Sequence, residues 1–109
     1  MIKTLTESQV RKNVLAKDGK VLTKDLVLLD FYADWCGPCK EMYTMLKQID
    51  KDFNIKIYKV DVEEAQELVQ TLGIRGIPSL YLINGDKVSV TSGLMPIDKL
   101  IDWIKASSE

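Results

Sequence analysis

The sequence predicts an α/β fold built on a mixed sheet, and three observations carry that prediction. The stretch Leu26-Val27-Leu28-Leu29-Asp30-Phe31-Tyr32 is almost unbroken in its apolarity, as a strand is when helices cover both faces of its sheet. Directly after it, Met42, Met45, Leu46 and Ile49 recur with Cys39 at helical spacing, so a central strand hands over to a helix. Late in the chain, Ser79 to Ile83 and Val88 to Ser92 flank Asn84-Gly85, the pattern of an antiparallel hairpin. An early parallel crossover and a late hairpin together require a mixed sheet.

The remaining elements follow in order. Ile2 to Leu5 suits a short first strand, and Thr6-Glu7-Ser8-Gln9 is a capping-box pattern with Leu5 and Val10 placed as a hydrophobic staple. The helix that starts there is expected to run to about Leu15, before the turn residues Lys17-Asp18-Gly19-Lys20. After the long helix, Asn54 and the alternation of Ile55, Ile57 and Lys59 read as a strand whose lysine points to the buried face. Asp61 with Glu64 forms another capping pattern, opening a short helix along Ala65, Leu68, Val69 and Leu72 that Gly73 ends. Pro96 opens a last helix with Ile97, Leu100, Ile101 and Ile104 in one stripe, and Trp103 beside that stripe is read as packing. The scattered methionines are read as core filler.

Composition excludes several classes of function. The chain has 109 residues, 46% hydrophobic and 28% charged, with no repeat, linker or low-complexity segment, so a single domain spanning 1–109 is expected. Its net charge is -1 with the signs interspersed, which favours neither nucleic acid nor an anionic membrane. The start, Met1-Ile2-Lys3-Thr4-Leu5, lacks the apolar core of a signal peptide, and no stretch nears the ~20 apolar residues of a membrane span, so a cytoplasmic protein is expected. There is no histidine. That rules out a Cys-His nucleophile, a Ser-His-Asp triad and a Cys2His2 zinc site, and two cysteines alone fall short of a closed zinc site, so no metal is expected.

Chemistry is concentrated at Trp35-Cys36-Gly37-Pro38-Cys39-Lys40, which holds both cysteines. The first turn of a helix presents unpaired N–H groups and the positive end of the helix dipole, which stabilise a thiolate relative to its thiol. Cys36 is therefore the expected nucleophile. Cys39, one turn further in and on the side of Met42 and Met45, is expected to be the more buried and to act as the resolving thiol. Pro38 brings a φ suited to a helix's first turn, while Gly37 lets another polypeptide approach. Spacing and local geometry together allow a reversible disulfide.

Asp30 interrupts the most apolar strand, where an unpaired carboxylate is expensive. Burial raises its pKa and brings it towards the working pH as a proton acceptor for Cys39. The plainer alternative is a buried ion pair with inward-facing Lys59, and the two readings can coexist.

Phe31-Tyr32-Ala33-Asp34-Trp35-Cys36-Gly37-Pro38-Cys39-Lys40 resembles the active-site signature of the thioredoxin family, and Gly73-Ile74-Arg75-Gly76-Ile77-Pro78-Ser79 resembles its cis-proline segment. Asn84-Gly85 and the later Gly93 match the family's last hairpin and the loop after it, so the resemblance covers nearly the whole chain. It implies a thioredoxin-like topology, with a central five-stranded mixed sheet flanked by four helices. It favours Asp30 as proton acceptor tuned by Lys59. Sequence alone makes the Ile77-Pro78 bond trans; the resemblance implies cis, with Trp35, Ile77, Pro78 and Gly93 forming a shallow apolar groove for an extended substrate segment.

The implied activity is protein-disulfide reduction by dithiol–disulfide exchange. No bound cofactor is implied; a thioredoxin reductase using NADPH, or ferredoxin-derived electrons, recharges the pair. The implied partners are that reductase and disulfide-containing proteins, and a monomer is expected. Two rivals are an oxidase or disulfide isomerase on the same fold, against which Gly37-Pro38 argues, and a redox-gated binding subunit. Two positions depart from the family pattern: Thr44 stands where the helix usually carries a kinking proline, so a straighter helix is expected, and Tyr32 replaces a tryptophan.

Overall fold

Hydrophobic periodicity becomes nine elements in the computed structural model, which describes residues 1–109. They are β1 (Lys3–Thr4), α1 (Glu7–Asn13), β2 (Val27–Tyr32), α2 (Gly37–Asp52), β3 (Lys56–Asp61), α3 (Gln66–Leu72), β4 (Ser79–Asn84), β5 (Lys87–Ser92) and α4 (Ile97–Ser107). The five strands form one sheet in the order β1-β3-β2-β4-β5. β3 is parallel to both β1 and β2, while β4 is antiparallel to β2 and β5, so the expected mixed sheet with four helices is present.

β2 lies at the centre, and its alternating side chains feed two separate cores. Val27, Leu29 and Phe31 pack with Val10 of α1, Val14 just after it and Leu68 of α3. Leu28 packs on the other face with Met42, Leu46 and Ile49 of α2 and Leu100 and Ile104 of α4. Each fully buried aliphatic side chain of this size contributes about 1.5–3 kcal/mol relative to exposure. By the two-residue period of a strand, Asp30 shares the face of Leu28 and is covered by α2. No helix is long and apolar enough to cross a membrane.

Several boundaries differ from expectation for local reasons. β1 shrinks to two residues, although the Leu5 amide still donates to the Lys59 carbonyl at 2.8 Å. α1 has the expected capping box on Thr6 and Gln9 but stops at Asn13, because Leu15 is drawn into an antiparallel bridge with Val21. Asp61 does not cap α3. Its Oδ1 instead accepts from the Glu63 amide at 2.9 Å within a turn, and α3 starts at Gln66 with no cap from its own segment. The missing cap comes from 61 residues away, where Glu7 Oε1 accepts from the Leu68 amide at 2.9 Å. At its other end α3 closes as expected on Gly73, in the left-handed conformation.

The hairpin turn sits one residue later than Asn84-Gly85. Asn84 pairs with Lys87, so Gly85 and Asp86 form the two-residue loop, and Gly85 takes the positive φ of 61° that its first position needs. Pro96 stands just before α4 rather than inside it.

The Glu7 carboxylate joins α1 to α3 as a charged cap on a partly buried amide. Glu7→Ala is expected to cost about 1–2 kcal/mol in urea unfolding and to speed hydrogen exchange at the Leu68 amide, whereas an unchanged exchange rate there would show that the cap carries no stability.

Candidate active site

β2 ends at Tyr32, and within five residues the chain has turned and entered α2 at Gly37. Cys36 is the N-cap of that helix and is extended, and Pro38 lies in the first turn, where its missing N–H leaves no bond unmade. Cys36 Sγ occupies the place of a capping oxygen and accepts from the Cys39 amide at 3.2 Å. Cys36 and Cys39 are joined in a disulfide, their Cα atoms 5.3 Å apart.

Cys39 is the more buried of the two cysteines, as expected, but narrowly: Cys36 is 5% exposed and Cys39 3%. Their surroundings differ more. Cys39, with Tyr32, Tyr43, Thr44 and Lys59, lines a cavity of about 310 Å³ that Cys36 does not reach. Cys36 packs with Ala33 and Cys39, and Ile77 lies against this small cluster.

Asp30 is fully buried, and neither carboxyl oxygen has a hydrogen-bond partner. Loss of hydration pushes its pKa up from 3.8 to about 7, against the opposing pull of the Lys59 charge. The register places Asp30 directly beside Lys59, but the ion pair of the plainer alternative does not form. The two ion pairs of the structure are the N-terminus with Asp50 and Lys56 with Asp25. Lys59 Nζ lies instead 4.1 Å from the ring centre of Tyr32 and 4.2 Å from that of Tyr43.

Trp35 is 70% exposed and is no core residue. Its Nε1 donates to Glu63 Oε2 at 3.2 Å, which holds the indole beside a cleft of about 180 Å³. Trp35, Val62, Ile74, Arg75 and Ile77 wall that cleft. The Ile77-Pro78 bond is cis, as the sequence resemblance implied. Pro78 is buried and, with Gly93, is not among the walls of the cleft; the Gly93 amide donates to the Pro78 carbonyl at 2.8 Å. Trp35 and Ile77 are thus brought together, and Pro78 and Gly93 are tied to each other beside them.

Sequence reading missed Glu63, Arg75 and Tyr43. Glu63 lies in an irregular turn with no periodic signal. Tyr43, four residues after Cys39, shares that residue's helix face, and this was the available clue. Thr44 leaves α2 unbroken from Gly37 to Asp52, its Oγ1 donating to the Lys40 carbonyl at 3.2 Å. The largest cavity, about 540 Å³, lies between α2 and the loop after β5, lined by Glu41, Thr44, Met45 and Leu94 to Pro96, and includes neither cysteine.

Comparison with known proteins agrees with this geometry. The family model described as Thioredoxin matches residues 2–106. Thioredoxin from Rickettsia felis is 34% identical over 110 residues, covering 98% of this chain and 99% of the relative. Thioredoxin from Pseudomonas aeruginosa is 34% identical over 109 residues, covering 97% and 95%. Among solved structures, a mutant thioredoxin from Halobacterium salinarum superposes with a TM-score of 0.79 at 30% identity, covering 99% of this chain and 90% of that one. A thioredoxin from Malassezia sympodialis gives 0.79 at 26% identity, covering 100% and 92%. The region matched by the family model takes in both the cysteine-bearing helix and the cis-proline segment, and with them the redox chemistry: the chain belongs to the thioredoxin family and is a thiol–disulfide oxidoreductase.

Proposed function

We propose that residues 1–109 work as one domain that reduces disulfides in partner proteins, with Cys36 as nucleophile and Cys39 as resolving thiol. The observation that carries this reading is the place of Cys36 at the N-cap of α2, its sulfur accepting a backbone N–H at the positive end of the helix. In the reduced protein the Cys36 thiolate attacks one sulfur of the partner's disulfide. That bond breaks, the partner's other sulfur leaves as a thiolate and takes up a proton, and a mixed disulfide remains. Cys39 then gives up its proton and attacks Cys36 Sγ, freeing the second partner thiol. Two electrons have moved to the partner, and the protein is left as the Cys36–Cys39 disulfide.

Asp30 is the proton acceptor for Cys39 in this scheme. A carboxyl raised to about 7 is matched to proton transfer near neutral pH, and an oxygen with no partner is free to take the proton. Lys59 tunes it through its charge. The cleft beside Trp35 and Ile77 suits an extended segment of the partner, while Gly37 keeps the approach to Cys36 open and Pro38, Pro78 and Gly93 hold the backbone around it. No bound cofactor enters the cycle, as is general in the family. The oxidised pair is returned to the dithiol by a thioredoxin reductase drawing on NADPH or ferredoxin, and the protein works as a cytoplasmic monomer.

Cys36→Ser is expected to lose reduction of insulin disulfides entirely; a variant that keeps this activity would remove Cys36 from its role. Asp30 gives a second test because its proton links function to stability. Between pH 3.8 and about 7 the native state holds a proton that the unfolded chain has released, so stability falls as pH rises through that window. Above it the full penalty is at most about 4 kcal/mol. Asp30→Asn is therefore expected to raise stability by about 1–3 kcal/mol at pH 8, and by less at pH 5, where only about a third of the penalty is present. The same variant is expected to slow disulfide turnover about 100-fold at pH 8. Unfolding curves and turnover rates at both pH values check this, and an unchanged rate at pH 8 would rule out Asp30 as acceptor.

A further inference from the structure

The unusual partner of Lys59 is a pair of rings rather than a carboxylate. Its Nζ is 4.1 Å from the centre of Tyr32 and 4.2 Å from that of Tyr43, both well inside the range of cation–π attraction. The rings come from separate elements, Tyr32 from the end of β2 and Tyr43 from the second turn of α2, and both line the cavity that Cys39 faces. Asp30 lies beside Lys59 in the strand register, with both its oxygens unpartnered.

We propose that Tyr32 and Tyr43 are positioning residues whose two faces hold the Lys59 ammonium inside the Cys39 cavity and so fix the charge that Asp30 senses. A lysine ammonium is a compact, strongly hydrated charge on a flexible stem, and the open cavity offers it a way out to water. Two rings facing it replace that hydration. With one removed, the ammonium retreats towards solvent, its field at Asp30 weakens with distance and screening, and Asp30 keeps its proton to higher pH.

The other groups around the pair are accounted for. Asp34 and Lys40 line the cavity from the turn before α2 and from its first turn. Asp61 follows two residues after Lys59 on β3 and acts on Tyr32. Lys47 lies 5.0 Å from the Tyr43 ring centre. β4 sets Leu80 opposite Asp30, and β1 sets Thr4 opposite Lys59, neither of them charged. Lys59 is thus the cation adjacent to Asp30 in the sheet, and the tyrosines decide where its charge rests.

This inference rests on the reading of Asp30 as proton acceptor only for its effect on rate, so the two can fail separately. The test is a carbon NMR titration of the Asp30 side-chain carboxyl in the oxidised protein, in which neither cysteine titrates. In Tyr43→Leu the midpoint is expected to move up by about 0.5–1 pH unit. Tyr43→Phe, which keeps the ring, is expected to leave it in place, and in a Lys59→Met background Tyr43→Leu is expected to have no further effect. A midpoint that stays or falls in Tyr43→Leu, or one that moves equally in Tyr43→Phe, would overturn the proposal. If the midpoint rises as expected while the pH profile of turnover does not follow it, the tyrosine clamp stands and the acceptor role of Asp30 falls.

Discussion

Burial of β2 on both faces is the constraint on which the rest depends. A strand flanked by β3 and β4 and covered by helices on each side has no edge and no wet face, so its path is fixed along its whole length. Two consequences follow. The chain leaves β2 at a determined point and direction, which sets where α2 begins and hence where Cys36 caps it. The same burial strips Asp30 of water, because the residue occupies an inward position that a leucine would otherwise fill.

In the proposed role of proton acceptor, Asp30 couples function to stability with opposite signs. A leucine there would leave no charge to desolvate, but it would also remove the carboxyl whose pKa lies at about 7. An ion pair with Lys59 would relieve the burial and pull the carboxyl back towards its ordinary range, where it is a weaker base. The arrangement observed lies between these. Lys59 is close enough for its charge to be felt but is engaged by two aromatic faces, and the carboxylate stays unpartnered. Strain of this kind in an otherwise consistent core is expected where a protein does chemistry.

What could be read from the sequence divides by distance along the chain. The Thr6 capping box, the Gly73 helix stop and the burial of Asp30 in β2 were legible because each depends on local pattern within one segment. The hairpin turn was misplaced by one residue because Asn84-Gly85 and Gly85-Asp86 both satisfy turn chemistry, and the register of Ile83 on Val88 decides between them. The Glu7 cap on α3 was invisible, since nothing local connects residues 61 apart. The resting place of the Lys59 ammonium was not legible for a similar reason. The sequence offered Asp30 as its neighbour, but Tyr43 reaches it through the docking of α2 on the sheet, which no pattern within either segment encodes.

The near-equal burial of the two cysteines changes how their roles are told apart. Exposure does not separate them in the disulfide, so any difference in behaviour has to arise from what each sulfur faces. Cys36 accepts from a backbone N–H at the helix start, and the cluster it forms with Ala33 and Cys39 has Ile77 packed against it, a residue that also walls the cleft beside Trp35. Cys39 faces the cavity that also holds Lys59 and its two tyrosines. These surroundings match the proposed roles, in which Cys36 holds negative charge and meets a partner and Cys39 exchanges a proton in a confined space. The unbroken helix through Thr44 supports this separation, because it holds the N-terminal turn and the Tyr43 ring on one continuous hydrogen-bonded frame. The geometry of the front sulfur and the charge environment of the rear one are then set by the same element, and a shift in how α2 docks on β2 would alter both together.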